Sequence, residues 1–268
     1  MKVEAVIQRL RSAPKYRAIH PDTIADVVRQ ESVHAADKAD LERRARLKLH
    51  RVAAGYLFTA RPAHLLRSLD RLGAADLREF CRTALGAHFS SAERLPDLDR
   101  FYPTVFAATG PAAVVADLAC AVNPFSLPWL RDVSDARYVG YDLNLSYVEL
   151  DRAFLARRYP DCAVHYRDVL VDPRSITADV ALLLKTYHSI EERQSGAGLR
   201  LVAELGTRTV VVSFPLKSMR GRSAPFWQVQ IGQLAALGEQ RGWGFDRVLL
   251  PTEELVVVRK DGGHAPPA

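Results

Sequence analysis

The chain has 268 residues, with 37 Lys and Arg against 31 Asp and Glu and a formal net charge of +6. That length suits one large domain or two modest ones with ample material for a core. Its three cysteines, Cys81, Cys120 and Cys162, stand far apart with no CxxC pair, which argues against a disulfide framework or a zinc knuckle and fits a reducing cytoplasm.

The N-terminal stretch "MKVEAVIQRLRSAPKY" mixes charge into every turn, so no signal peptide is expected, and no later run approaches the roughly 20 apolar residues of a membrane span. Up to about residue 108 the pattern is helical. Val3, Val6, Ile7 and Leu10 recur at helix spacing, "PDTIADVVRQ" opens with Pro and Asp in capping positions, and "ADLERRARLKLHRVAAGYLF" repeats apolar residues every three to four. Further helices are expected from near Pro62, Ala74 and Ser90. Residues 1–100 hold 19 Lys and Arg against 13 Asp and Glu, whereas residues 101–268 hold 18 of each, so the whole surplus lies in this helical part. "RRARLKLHR" (Arg43 to Arg51) packs five Arg and Lys and one histidine into nine positions. A solvated helix face would account for such a run, but its coincidence with the domain boundary points to a polyanion, above all nucleic acid.

From residue 112 the texture changes to short apolar runs separated by amphipathic helical stretches, the signature of buried parallel strands with crossover helices. Seven strands are predicted: "AVVADLA", "ARYVGYDL", "CAVHYRDV", "DVALLLKT", "RTVVVSFP", "FDRVLLPT" and "ELVVVRK". The last two are joined by "PTEE", too short for a helical crossover, so they must pair antiparallel. The predicted fold class is therefore α/β: a class I methyltransferase dependent on S-adenosylmethionine (SAM), with a Rossmann-like seven-stranded sheet and an antiparallel last strand, preceded by a helical domain. The expected domains are a basic helical unit at 1–108 that docks RNA, a SAM-binding unit at 109–260 and a disordered tail, "DGGHAPPA", at 261–268.

Ligands of open α/β sheets bind beyond the carboxyl ends of the strands. Here the first strand ends at Asp117, the second at Asp142, the third at Asp168 with Val169, and the fourth at Lys185. An acidic side chain in the place of Asp142 would accept hydrogen bonds from both ribose hydroxyls. The turn after Asp117 lacks the glycines that admit a pyrophosphate, but Ala119, Cys120 and Ala121 are small and Asn123-Pro124 supplies a turn. That turn favours the phosphate-free SAM over a dinucleotide.

"DLACAVNPF", "GYDLN", "RDVL", "LLLKTYHSIEERQ" and "VVSFPLKSMRGR" together resemble the Arm/Kgm family of aminoglycoside-resistance 16S rRNA methyltransferases, over roughly residues 88 to 260. The resemblance implies SAM as cofactor, no metal, a monomer, and methylation of N7 of a guanine in the decoding-site helix of 16S rRNA in the 30S subunit. It implies that Asp117, Ala119, Cys120, Ala121 and Asn123 line the methionyl end of SAM, that Asp142 with Leu143 holds the ribose, and Asp168 with Val169 the adenine. Tyr187 and Gln194 would flank the cofactor, while Lys185 and Glu191 would position the target guanosine as the catalytic pair. Lys217, Arg220 and Arg222 would approach the RNA on their loop, and Arg43, Arg44, Arg46, Lys48 and Arg51 would dock the ribosome.

Four departures bear on these roles. The family's Ser-Thr-Arg-Glu-Arg-Leu is "SSAERL" here, so the arginine expected at the SAM carboxylate is Ala92, with Arg94 or His88 as its replacement. A glycine in the first turn is Ala121, which requires a negative φ. The proline after the fourth strand is His188. "SAPFW" replaces Lys-Gly-Met, leaving Phe226 or Trp227 to pack on the base. The chemistry itself needs no general base, since guanine N7 carries a lone pair and no proton, and catalysis reduces to holding a base turned out of its stack against the methyl group. A histidine base at His188 would instead mark a different acceptor. Alternative readings are a related SAM methyltransferase for another RNA site or a small molecule, and an inactive RNA-binding homologue.

Overall fold

The computed structural model describes residues 3–53, 62–73, 76–216 and 226–261. Seven strands form one sheet: β1 (Val114–Leu118), β2 (Arg137–Asp142), β3 (Ala163–Tyr166), β4 (Thr177–Leu184), β5 (Gly206–Pro215), β6 (Gly244–Leu249) and β7 (Glu253–Arg259), in the order β3-β2-β1-β4-β5-β7-β6. β1 to β5 pair parallel, while β7 runs antiparallel between β5 and β6, as the three-residue link from β6 to β7 demands. Order reverses at β1, whose neighbours are β2 and β4, and that reversal opens a crevice at their carboxyl ends.

The strand side chains alternate between two cores. Val211 points to one face and Val210 and Val212 to the other, all three fully buried. One face is covered by α4 (Pro62–Leu69), α5 (Leu77–Gly86), α7 (Leu98–Thr109) and α9 (Leu145–Arg158), with α6 (Phe89–Ala92) and α8 (Leu127–Leu130) as single turns. The other is covered by α10 (Tyr187–Arg193), α11 (Ala197–Glu204) and α12 (Phe226–Arg241). α9 starts where Asn144 caps it, its side chain accepting from the Ser146 amide at 3.0 Å.

The helical part expected as one unit over 1–108 divides in two. α1 (Val3–Arg11), α2 (Pro21–Ser32) and α3 (Lys38–Ala53) bury Val6, Leu10, Ile24, Val28, Leu41 and Leu49 in a core of their own. α4 to α7 instead bury Leu69, Phe80, Leu85, Phe101 and Val105 against the sheet and so belong to the larger unit. The small bundle is pinned beside β2: the His20 amide donates to the Leu143 carbonyl at 2.8 Å and the Leu145 amide to the Ala18 carbonyl at 2.7 Å. Of the tail expected to be disordered, residues 262–268 lie outside the described residues.

Candidate active site

The carboxyl ends of β1 to β4 open into a cleft with a cavity volume of about 100 Å³. Its floor is the turn after β1. Asp142 stands there 6% exposed, its Oδ2 accepting from the Ala121 amide at 2.9 Å and its Oδ1 from the Asn144 amide at 2.7 Å. Each oxygen keeps a lone pair, so the carboxylate is a rigid, braced acceptor for a vicinal diol. Burial pushes its pKa up to about 6 against the pull of those amides.

The Ala121 amide reaches Asp142 because the turn is left-handed. Ala119 has φ +58° and Ala121 φ +46°, which overturns the negative φ expected at Ala121. A non-glycine residue held there costs about 1–2 kcal/mol. Ala119 and Ala121 line the cleft and leave room for a ligand. Asp117, Cys120 and Asn123 do not line it. Asp117 lies beneath the turn, 1% exposed, accepting from Tyr138 Oη and Asn123 Nδ2 at 2.6 Å each, and Cys120 is buried. These three hold the turn rather than the ligand.

Asp168 lines the far end with Val169, Leu170 and Ile190 as apolar walls. Its Oδ2 accepts from Thr23 Oγ1 at 2.6 Å and pairs with Arg193 Nη1 at 2.6 Å, and its Oδ1 accepts from the Leu170 amide at 3.0 Å. Arg193 also grips Asp26 at 2.5 Å. The small bundle therefore meets the cleft directly through Thr23 and Asp26 of α2, and Val52 of α3 lines the cleft wall. Neither Thr23 nor Arg193 carries a sequence signal for this role, because their partner is 145 residues away from one and 25 from the other.

At the opposite end Lys185, with φ +58°, lies almost fully buried, and burial pulls its ammonium below the usual lysine value. It pairs with Glu93 at 3.0 Å and donates to the Ser90 carbonyl at 3.4 Å, both on the 88–94 segment. His88 and Ser90 line the cleft beside it. The His88 ring meets Ser91 Oγ through Nδ1 at 3.0 Å, and burial lowers its pKa to about 4, keeping it neutral.

Several expected site residues lie elsewhere. Glu191 accepts from the Gly196 and Gly198 amides at 2.8 and 2.7 Å and so caps α11. Tyr187 is 1% exposed and packs on Phe214, and Gln194 bonds Gln30 and Arg200. Arg94 cannot replace the missing arginine, because its guanidinium forms a buried two-pronged bridge to Glu253 at 2.6 and 2.8 Å. Trp227 is 8% exposed against Phe214 and His188, so its face is closed to a base, and His188 pairs with Glu192 at 3.1 Å outside the cleft lining. The Phe226 side chain, Lys217, Arg220 and Arg222 lie outside the described residues. On α3, Arg43 and Arg44 pair with Asp40, Arg46 with Glu42 and Lys48 with Glu31, while Arg51 is exposed with no ion pair among the described residues.

A model of the family described as "Ribosomal RNA methyltransferase (FmrO)" matches residues 11–258. A 16S rRNA (guanine(1405)-N(7))-methyltransferase of Frankia casuarinae is 32% identical over 96% of this chain and 94% of its own. One of the same name from Serratia marcescens is 31% identical over 98% and 100%. Among solved structures, the 16S rRNA methyltransferase RmtF in complex with S-adenosyl-L-homocysteine superposes with a TM-score of 0.80 at 25% identity, covering 96% of this chain and 98% of that one.

Proposed function

We infer the function from one premise: this chain belongs to the ribosomal RNA methyltransferase (FmrO) family. It is a SAM-dependent enzyme that methylates 16S rRNA at N7 of a guanine, the activity for which its relatives are named. The guanine is that of the decoding-site helix in the 30S subunit, and its modification confers aminoglycoside resistance. The enzyme works in the cytoplasm as a monomer.

The cleft fits SAM. Asp142 presents two braced oxygens to the ribose hydroxyls, with Leu143 beside it, and Asp168, Val169 and Ile190 enclose the adenine end. Ala119 and Ala121 make space for the methionyl group. With alanine at position 92, Lys185 is the cation left to face the methionyl carboxylate, and its pairing with Glu93 holds it in place. When bound, SAM supplies an electrophilic methyl on a sulfonium sulfur, so the N7–C bond forms as the C–S bond breaks. No proton has to be removed from N7, and the cleft matches that requirement: His88, the histidine among the described lining residues, is neutral and too weakly basic to serve as a proton acceptor. Catalysis by this chain is positioning, with Lys185 and the 88–91 segment framing the methyl-transfer end.

The braced ribose carboxylate is the observation that carries this reading, and it speaks against an inactive RNA-binding homologue. The test is incubation of the protein with unmodified bacterial 30S subunits and labelled SAM, followed by reduction and aniline scission of the 16S rRNA. Scission at the decoding-site guanine is expected. SAM binding without label on 30S would overturn the RNA assignment and direct the search to another acceptor.

A further inference from the structure

Phe89 is 43% exposed, a large apolar side chain left in solvent between two residues, His88 and Ser90, that line the cleft. Its backbone is fixed: the Ser90 carbonyl accepts from Lys185 Nζ at 3.4 Å, His88 Nδ1 meets Ser91 Oγ at 3.0 Å, and the His88 ring packs edge-on to Tyr147 at 5.7 Å. Phe89 itself is outside the cleft lining, and its exposed ring is carried on this turn between two residues that are part of it. A guanine presented for N7 attack must leave its stack, and enzymes that take a base out of a helix hold it against aromatic faces. Among the described residues, Tyr187 and Trp227 are 1% and 8% exposed and pack against Phe214, while Tyr147, 9% exposed, lines the cleft.

We propose that Phe89 is the platform on which the target guanine stacks, a positioning residue in the place that sequence reasoning gave to Trp227 or Phe226. The proposal rests on the rRNA methyltransferase reading and specifies the side chain that receives the base. A half-exposed ring contributes little to the core, so its function is separable from stability.

The experiment compares wild type, Phe89→Ala, Phe89→Leu and Phe89→Tyr for methylation of 30S subunits, with SAM affinity by calorimetry and thermal melting on each. Loss of one base–aromatic stack corresponds to about 5- to 150-fold. Phe89→Ala and Phe89→Leu are expected to lose that factor in kcat/KM for 30S, while Phe89→Tyr stays within about threefold and all keep the wild-type Kd for SAM. Full activity in Phe89→Ala overturns the proposal, as does full activity in Phe89→Leu, which would reduce the contact to apolar filling. A loss matched by an equal loss of SAM affinity also overturns it. Failure of the wild type to label 30S overturns the functional reading itself and the proposal with it, an outcome visible before any variant is compared.

Discussion

SAM affinity should depend on pH between 5 and 7 through Asp142. Burial places this carboxyl at about 6 in the free protein, and only its ionised form accepts from both ribose hydroxyls while keeping the Ala121 and Asn144 amides. A proton and the ribose therefore compete: affinity is full above about pH 7 and falls as pH drops through 6. With an ionised fraction of about nine-tenths at pH 7 and one-tenth at pH 5, Kd should rise about tenfold, or ~1.4 kcal/mol. His88, at about 4, stays neutral, and an α-amine with a pKa near 7.7 stays protonated. Asp117 is also pushed up to about 6 by burial, but it lies under the turn and away from the cleft lining. Asp142→Ala separates the two: it should weaken binding by about 1–3 kcal/mol at pH 7 and leave a flat profile. Calorimetric titration at pH 5, 6 and 7 measures both. A flat wild-type profile, or the same slope in Asp142→Ala, would refute the assignment of the ribose to this carboxylate.

Arg94→Met should destabilise the protein by about 3–5 kcal/mol in urea unfolding, because Glu253, fully buried, would keep its charge without its partner; Arg94→Met with Glu253→Leu should recover much of that. At the left-handed Ala121, the stability order should be Gly at least equal to Ala and both above Val by roughly 2 kcal/mol, read from melting temperatures; a valine variant as stable as the wild type would contradict φ +46°. Glu191→Gln should cost about 1 kcal/mol of stability by weakening the cap on α11 while leaving kcat for methyl transfer within about threefold, whereas a catalytic pairing with Lys185 would show as a large drop in kcat.

What could be read in advance was whatever is encoded locally. Seven apolar runs predicted seven strands, and the short "PTEE" link fixed the antiparallel hairpin, since both follow from residues adjacent in the chain. Asp142 and Asp168 were placed because strand ends line up at the sheet's edge. The errors came from partners that sequence order hides. Lys185 turned to Glu93, 92 residues earlier, and Arg94 turned to Glu253, 159 residues later. Glu191 was claimed by two glycine amides only five and seven residues on, a local cap that a glutamate in a helix does not announce. Tyr187, expected beside the cofactor, and Trp227, expected against the base, are buried instead in the apolar layer with Phe214 of β5. The sign of φ at Ala121 was set by the need to aim one amide at Asp142, which composition does not reveal.

The attachment of α2 to the cleft has a consequence for chimeras. The hydroxyl of Thr23 sits on Asp168, the carboxylate of Asp26 sits on Arg193, and the 18–20 segment is hydrogen-bonded on both sides of Asn144. A bundle transplanted from a relative to redirect the enzyme to another RNA would strand Arg193, 2% exposed, beside Asp168 alone unless it brought both groups in register. The bundle and the wall of the cleft are thus inherited as one piece, and recombination between relatives should succeed at crossovers after α3 only where the donor carries the same hydroxyl and carboxylate.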